Sequence, residues 1–144
     1  NIGGNSKTEK LKAIIKEKQI EEFVEFIGWV TNEKKINCLQ TADVYILPSY
    51  NEGLPISILE AMSYGQAIIA TNVGGIPEIV IPGRNGVLIE PGNLIEIEKA
   101  IDFFIDNPEK IKSYGKESKH IVMKHLPDAV VMELSNIYKL LLNE

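Results

Sequence analysis

Two carboxylates with seven residues between them, Glu52 and Glu60, bracket the most chemically distinctive segment of this sequence. Gly53, Leu54 and Pro55 stand at its start. Pro55 suits the first turn of a helix, where its missing N–H costs nothing. Glu60 then falls inside that helix and Glu52 in the loop before it. A helix N-terminus presents free N–H groups and the positive end of the macrodipole, which favours phosphate. Gly53 would let the backbone approach an anion closely. Eight residues along a helix-like path span at most about 12 Å, roughly the reach a sugar diphosphonucleoside requires. One carboxylate would grip sugar hydroxyls and the other ribose hydroxyls, with the diphosphate between them. Taken alone, the same pair also reads as two unrelated surface glutamates, because Glu is common and helix surfaces are usually solvated.

Other reactive side chains offer less. His120 and His125 lie in a C-terminal helix without a Cys or carboxylate pattern suited to zinc, and a solvated surface is the better reading. Cys38 is the only cysteine, so no intramolecular disulfide can form. It sits mid-helix with no nearby His and reads as a small buried hydrophobe. Trp29 follows a strand end and fits either core packing or a place near a base. Lys34 and Lys35 read as a solvated helix face. Gly74, Gly75 and Glu78 shape a turn and a helix start, and Arg84 belongs to an exposed turn.

The elements that position these residues follow from periodicity. Ile2-Gly3-Gly4 reads as a strand end running into a glycine turn, and Ser6 or Thr8 as the cap of a helix to about Gln19. Phe23 to Ile27 reads as a short strand ending at Gly28, and Thr31 as the cap of the next helix. Asp43 to Leu47 is a buried strand stopped by Pro48. The helix from Pro55 runs to about Tyr64 and ends at Gly65. Ala67 to Thr71 is a continuously apolar strand, as expected when both faces are covered. A short helix follows near Ile76 to Val80. Asn85-Gly86 marks a turn before a strand from Val87 to Glu90. Asn93 and Glu96 are spaced like a capping box, opening a helix with Leu94, Ile97, Ile101, Phe104 and Ile105 on one face. Asn107-Pro108 and Pro127-Asp128 start two more helices. Alternating strands and amphipathic helices predict an α/β fold, a Rossmann-like parallel sheet flanked by helices. Ligands of such sheets bind beyond the carboxyl ends of the strands, so the loops after Ile27, Leu47 and Thr71 are the ones to examine.

The 144 residues fit one domain, read as residues 1–144. Apolar residues make up 44%, which is ordinary for a globular protein. No apolar run approaches the ~20 residues of a membrane-spanning helix, and no signal peptide is visible. A net charge of −5 supplies no general field for nucleic acid. A lone cysteine suits a reducing cytoplasm. The start at Asn1 rather than Met suggests a piece of a longer protein.

Leu47-Pro48-Ser49, then Glu52-Gly53-Leu54-Pro55, then Leu59-Glu60-Ala61-Met62 and Gly65 form a string that resembles the retaining GT-B glycosyltransferases, family four in particular. The continuation Ala70-Thr71-Asn72-Val73-Gly74-Gly75-Ile76-Pro77-Glu78, Gly83, Asn85-Gly86 and Pro91-Gly92 is similar to the same family. The resemblance runs from Gly3 to Pro91 and fades beyond. It implies the C-terminal, nucleotide-sugar-binding half of a GT-B fold. It also implies roles. Glu52 contacts the donor sugar near the reacting carbon and is the catalytic candidate. Glu60 binds the ribose hydroxyls. The backbone amides of Gly53 and Leu54 face the distal phosphate, Val30 contacts the base through its backbone, and Gly3 and Gly4 form a glycine turn close to the donor. A UDP-sugar or GDP-sugar donor, retention of anomeric configuration and no metal cofactor complete the implied chemistry.

In the family this half opens with a strand, an Arg- and Lys-bearing loop that binds the diphosphate, and a helix, none of which precedes Asn1. The half that takes the acceptor sugar or lipid is absent too. This predicts a fragment inactive by itself, whose sheet is completed by another chain or a swapped element, as in a homo-oligomer. In the family's strand order the missing strands lie between Phe23–Ile27 and Asp43–Leu47. Polysaccharide or lipopolysaccharide assembly in the cytoplasm or at the inner-membrane surface is the expected setting. Three rivals remain. A non-catalytic nucleotide-binding module would bind independently of Glu52. A GT-B sugar-nucleotide epimerase would need an acid/base pair in the cleft. A dinucleotide oxidoreductase is disfavoured because Gly3-Gly4 is no G-x-G-x-x-G.

Overall fold

A computed structural model describes residues 4–142, with side chains described from Thr8. The chain divides into two compact units, Asn1–Asn37 and Cys38–Glu144. In the first, helix α1 spans Gly4–Glu17 and a 3-10 turn spans Glu21–Phe23. Helix α2, Asn32–Thr41, starts directly after Thr31 and runs past the division. Ile2 and Gly3, the expected strand end, lie outside the described residues. Gly4 opens α1, so the helix starts ahead of both Ser6 and Thr8.

Phe23–Ile27 forms no strand. Val24 has extended backbone (φ −127°, ψ 117°), so the local preference is obeyed there. No ladder partner accompanies it among the described residues, and all five residues are exposed. A strand is a property of a pair, and a period-two pattern specifies only one member.

The second unit carries strands β1 (Val44–Leu47), β2 (Ala67–Thr71) and β3 (Gly86–Ile89) in one parallel sheet of order β1-β2-β3. The register pairs Val44 with Ala67 and Ile68 with Gly86. Helix α3 (Ile56–Tyr64) joins β1 to β2, and the single turn α4 (Ile76–Ile79) lies between β2 and β3. Helices α5 (Leu94–Asp106), α6 (Pro108–Val122) and α7 (Pro127–Leu142) follow. Among the described residues no helix is long and apolar enough to cross a membrane.

All five residues of β2 are buried because both faces of the central strand are covered. Ile68 and Ala70 join a cluster with Ile58, Ala61 and Met62 of α3, Ile76 and Ile79 of α4, Val80 and Val122. Ala67 and Ile69, on the opposite face, join Ile89, Ala100, Phe104 and Tyr114. Helix α6 contributes to both clusters. Its buried Ser118 donates a 2.7 Å hydrogen bond to the Gln66 carbonyl just before β2. Each fully buried Ile contributes about 1.5–3 kcal/mol, so β2 and α3 anchor the unit.

Helix ends follow the sequence closely. Gly65 takes φ +83°, ends α3 in the left-handed conformation, and its N–H meets the Ala61 and Met62 carbonyls. Pro55 sits at the N-cap of α3, one place ahead of the expected first turn. The Asn93 side chain accepts from the Glu96 N–H at 3.2 Å, and the Glu96 carboxylate accepts from the Asn93 amide at 2.8 Å and the Glu90 N–H at 2.7 Å. The Asn93 cap therefore forms, but the reciprocal half of the expected box does not: the Asn93 backbone N–H goes to the Glu90 carbonyl at 3.1 Å, and Glu96 instead ties α5 to the end of β3. The face of α5 departs from expectation: Ala100 and Phe104 are buried, Leu94 and Ile105 are exposed.

Candidate functional site

In a parallel sheet all carboxyl ends lie at one edge, and three loops leave β1, β2 and β3 there. They are bound to one another. Thr71, the last residue of β2 and fully buried, donates its hydroxyl to the Ser49 carbonyl at 2.6 Å. The Gly75 N–H donates to the Gly53 carbonyl at 2.7 Å, and the Asn72 N–H to the Ile89 carbonyl at 2.9 Å. Tyr50, mostly exposed, stands over Gly92 in the loop after β3.

Glu52 lies in the first of these loops and is half-buried. Glu60 is the fifth residue of α3, also half-buried, beside the core-facing Ile58, Ala61 and Met62. Gly53 and Leu54 are exposed between them, and a Cβ built on Gly53 would meet no protein atom within 4 Å. No side chain caps α3. The Ile58 N–H donates to the Pro55 carbonyl at 3.1 Å, which leaves the Ile56 and Ser57 amides as the orphan donors of the first turn. The arrangement offers amide donors and the positive end of a helix dipole to an anion. It also carries two carboxylates, groups that accept hydrogen bonds.

The second unit thus carries Glu52, Gly53 and Leu54 on the loop after β1 and Glu60 on the helix that follows it. Gly4 and Val30 belong to the first unit, with Gly4 opening α1 and Val30 half-buried just ahead of α2. Gly3 lies outside the described residues. Trp29 is 80% exposed, which excludes the core role within the described residues. Cys38 is a half-buried free thiol, Lys34 and His120 are exposed, and His125 is half-buried. Arg84 precedes β3 at the amino edge of the sheet, opposite the three loops, and pairs with Glu117 at 2.7 Å. That guanidinium holds the Glu117 carboxyl below its ordinary value.

Sequence reasoning assigned no role to Thr71. The available signal was a single hydroxyl ending an otherwise apolar run, Ala67-Ile68-Ile69-Ala70. A buried hydroxyl requires a partner, and here that partner is the Ser49 carbonyl in the neighbouring loop.

A parallel three-stranded sheet flanked by helices is the architecture of the C-terminal domain of GT-B glycosyltransferases. The chain belongs to the family Glycosyl transferases group 1, which it matches over residues 2–121. An uncharacterized glycosyltransferase of Haemophilus influenzae is 38% identical over 119 residues, 82% of this chain and 33% of that protein. One from Methanocaldococcus jannaschii is 33% identical over 144 residues, 99% of this chain and 36% of that protein. The chain thus spans about a third of the length of these curated relatives. Among solved structures, sucrose-phosphate synthase from Thermosynechococcus elongatus superposes with a TM-score of 0.81 at 25% identity, covering 96% of this chain and 35% of that one. Anabaena HepE in complex with UDP gives 0.80 at 24% identity, covering 97% and 38%, a likeness of fold.

Proposed function

We propose that this chain holds the nucleotide diphosphate sugar donor of a retaining, family-four glycosyltransferase whose acceptor, a sugar or lipid, is held by the rest of the whole protein. The observation that carries the reading is the N-terminus of α3, which no side chain caps, preceded in the chain by the uncrowded Gly53, with Glu52 in the loop before it and Glu60 within the helix. The Gly53 and Leu54 amides and the helix end take the distal phosphate. Glu60 takes the ribose hydroxyls and Glu52 the donor sugar. Gly3, Gly4 and Val30 complete the pocket on the base and turn side.

In the reaction the bond between the anomeric carbon and the diphosphate oxygen breaks, and the acceptor hydroxyl oxygen bonds to that carbon. The hydroxyl proton leaves with the diphosphate. Charge grows on the departing diphosphate, and amides already aimed at it lower the barrier electrostatically. No metal is required, and the setting is cytoplasmic polysaccharide or lipopolysaccharide assembly.

The test is calorimetric titration of UDP and GDP into wild type and Glu60→Ala. Binding of one nucleotide, weakened about tenfold by loss of a charged hydrogen-bond acceptor, supports the reading. Absence of binding to both in the folded full-length protein refutes it.

A further inference from the structure

We propose that the turn between β2 and α4 is a gauge that aims the phosphate-binding amides, with Thr71, Gly74 and Gly75 as positioning residues. The inference rests on the donor reading above and adds residues that touch no part of the donor. Two ties bracket Glu52. The Ser49 carbonyl accepts from the Thr71 hydroxyl at 2.6 Å, and the Gly53 carbonyl accepts from the Gly75 N–H at 2.7 Å. Between the ties, the Glu52 carbonyl lies directly against Gly74. A Cβ on Gly74 would stand 1.9 Å from the Glu52 oxygen, 2.8 Å from its carbonyl carbon and 2.9 Å from the Gly53 oxygen. These are backbone atoms and cannot swing aside as a side chain would. Gly74 also has φ +54°, a left-handed conformation that glycine adopts without penalty.

The consequence follows from the planar trans peptide, in which C=O and N–H point in opposite directions. The Glu52 carbonyl is turned toward Gly74, so the Gly53 N–H in the same peptide is turned away. The Gly53 carbonyl is held by Gly75, so the Leu54 N–H is turned away as well. Gly53 and Leu54 are both exposed. The turn thus fixes two successive amides outward without contacting whatever they bind. Glu60, carried by the rigid α3, does not depend on it.

That separation supplies the test. In the full-length protein, UDP carries the distal phosphate that the two amides would hold, and UMP lacks it. Gly74→Ala is expected to weaken UDP by about tenfold, the order of lost hydrogen bonds to a charged group, while UMP stays within about twofold. If guanosine is the bound base, GDP and GMP serve in the same comparison. Thr71→Val is expected to give a smaller loss of the same kind, restored by Thr71→Ser, and carries the test if Gly74→Ala fails to fold. UDP and UMP weakening together, or UDP unchanged in both variants, would overturn the proposal while leaving the donor reading intact. Wild type binding neither diphosphate would sink the donor reading itself.

Discussion

Glu52 and Glu60 are chemically identical, and their positions separate their tasks. Glu60 is fixed by a helix whose neighbouring residues Ile58, Ala61 and Met62 are fully buried. It suits a ground-state contact that holds the ribose equally before and during reaction. Glu52 sits on a loop, and the proposed function puts it near the reacting carbon. Glu52→Gln should therefore leave nucleotide affinity nearly unchanged and lower transfer by about 100-fold, as when one transition-state electrostatic contact is lost. Equal losses in binding and turnover would assign Glu52 to binding alone. Gly53 gives a sharper contrast. Its Cβ position is empty and its φ lies outside the left-handed region. Gly53→Ala should thus keep the melting temperature of wild type and still weaken UDP, because the methyl group would occupy the anion's space. A lowered melting temperature with unchanged binding would show that the open space is unrelated to a ligand. The two glutamates, the Pro55 start and the Gly65 stop were legible because each is local in sequence. The Thr71 tie was not, since it joins residues 22 apart whose proximity only the sheet register creates.

The elements show the same division between local and non-local information. Strand β2 was legible to the residue, since an unbroken apolar run bounded by Gly65-Gln66 and Asn72 leaves few alternatives. The Phe23–Ile27 segment is also mostly apolar, though broken by Glu25, and has no ladder among the described residues. Helix α5 was legible in extent but not in facing. Phe104 is 3% exposed and packs edge-on against Phe103 and Tyr114 with centroids 5.2 and 5.6 Å apart, whereas Leu94 is 76% exposed. Phe104→Ala should cost about 3–5 kcal/mol in chemical denaturation, and Leu94→Ala should be close to neutral. Similar costs for the two would contradict the observed face. Helix α6 supplies a pH-dependent contact. The Arg84 hydrogen bond lowers the Glu117 pKa from its ordinary 4.5, so the folded state binds that proton less readily than the unfolded chain. The contribution is complete above the ordinary value and is lost as pH falls through the lowered one. Because both side chains are substantially solvated, the effect is small and weakens with salt. Arg84→Met should slightly flatten the acid limb of the stability profile at low salt and leave it unchanged at neutral pH in high salt.

At the scale of the whole molecule, the three-stranded sheet leaves two edges, and parallel sheets with bare edges invite further pairing. Among the described residues β1 pairs only with β2, and its Ile46 is 40% exposed. Beside it runs an apolar groove of about 330 Å³ formed by β1, Ile69, α5 and the start of α6. A second groove, of about 430 Å³, flanks β3. Neither includes Glu52 or Glu60, so both lie along the sheet edges, apart from the proposed donor site. The β3 groove contains Glu96 and Lys99, charges that oppose a dry contact. The β1 groove is apolar throughout, and its strand leads into the loop that carries Glu52. Pairing along β1 would therefore stiffen the loop that bears Glu52. The 144-residue chain expressed alone should associate with itself as concentration rises, through this edge. Ile46→Lys should suppress the association by placing an unpaired charge on the strand, while leaving the folded unit intact because Ile46 lies outside both core clusters. Light scattering coupled to size exclusion reads the outcome. A wild-type chain that stays monomeric at every concentration, or an Ile46→Lys chain that associates equally well, would remove β1 as the edge that seeks a partner.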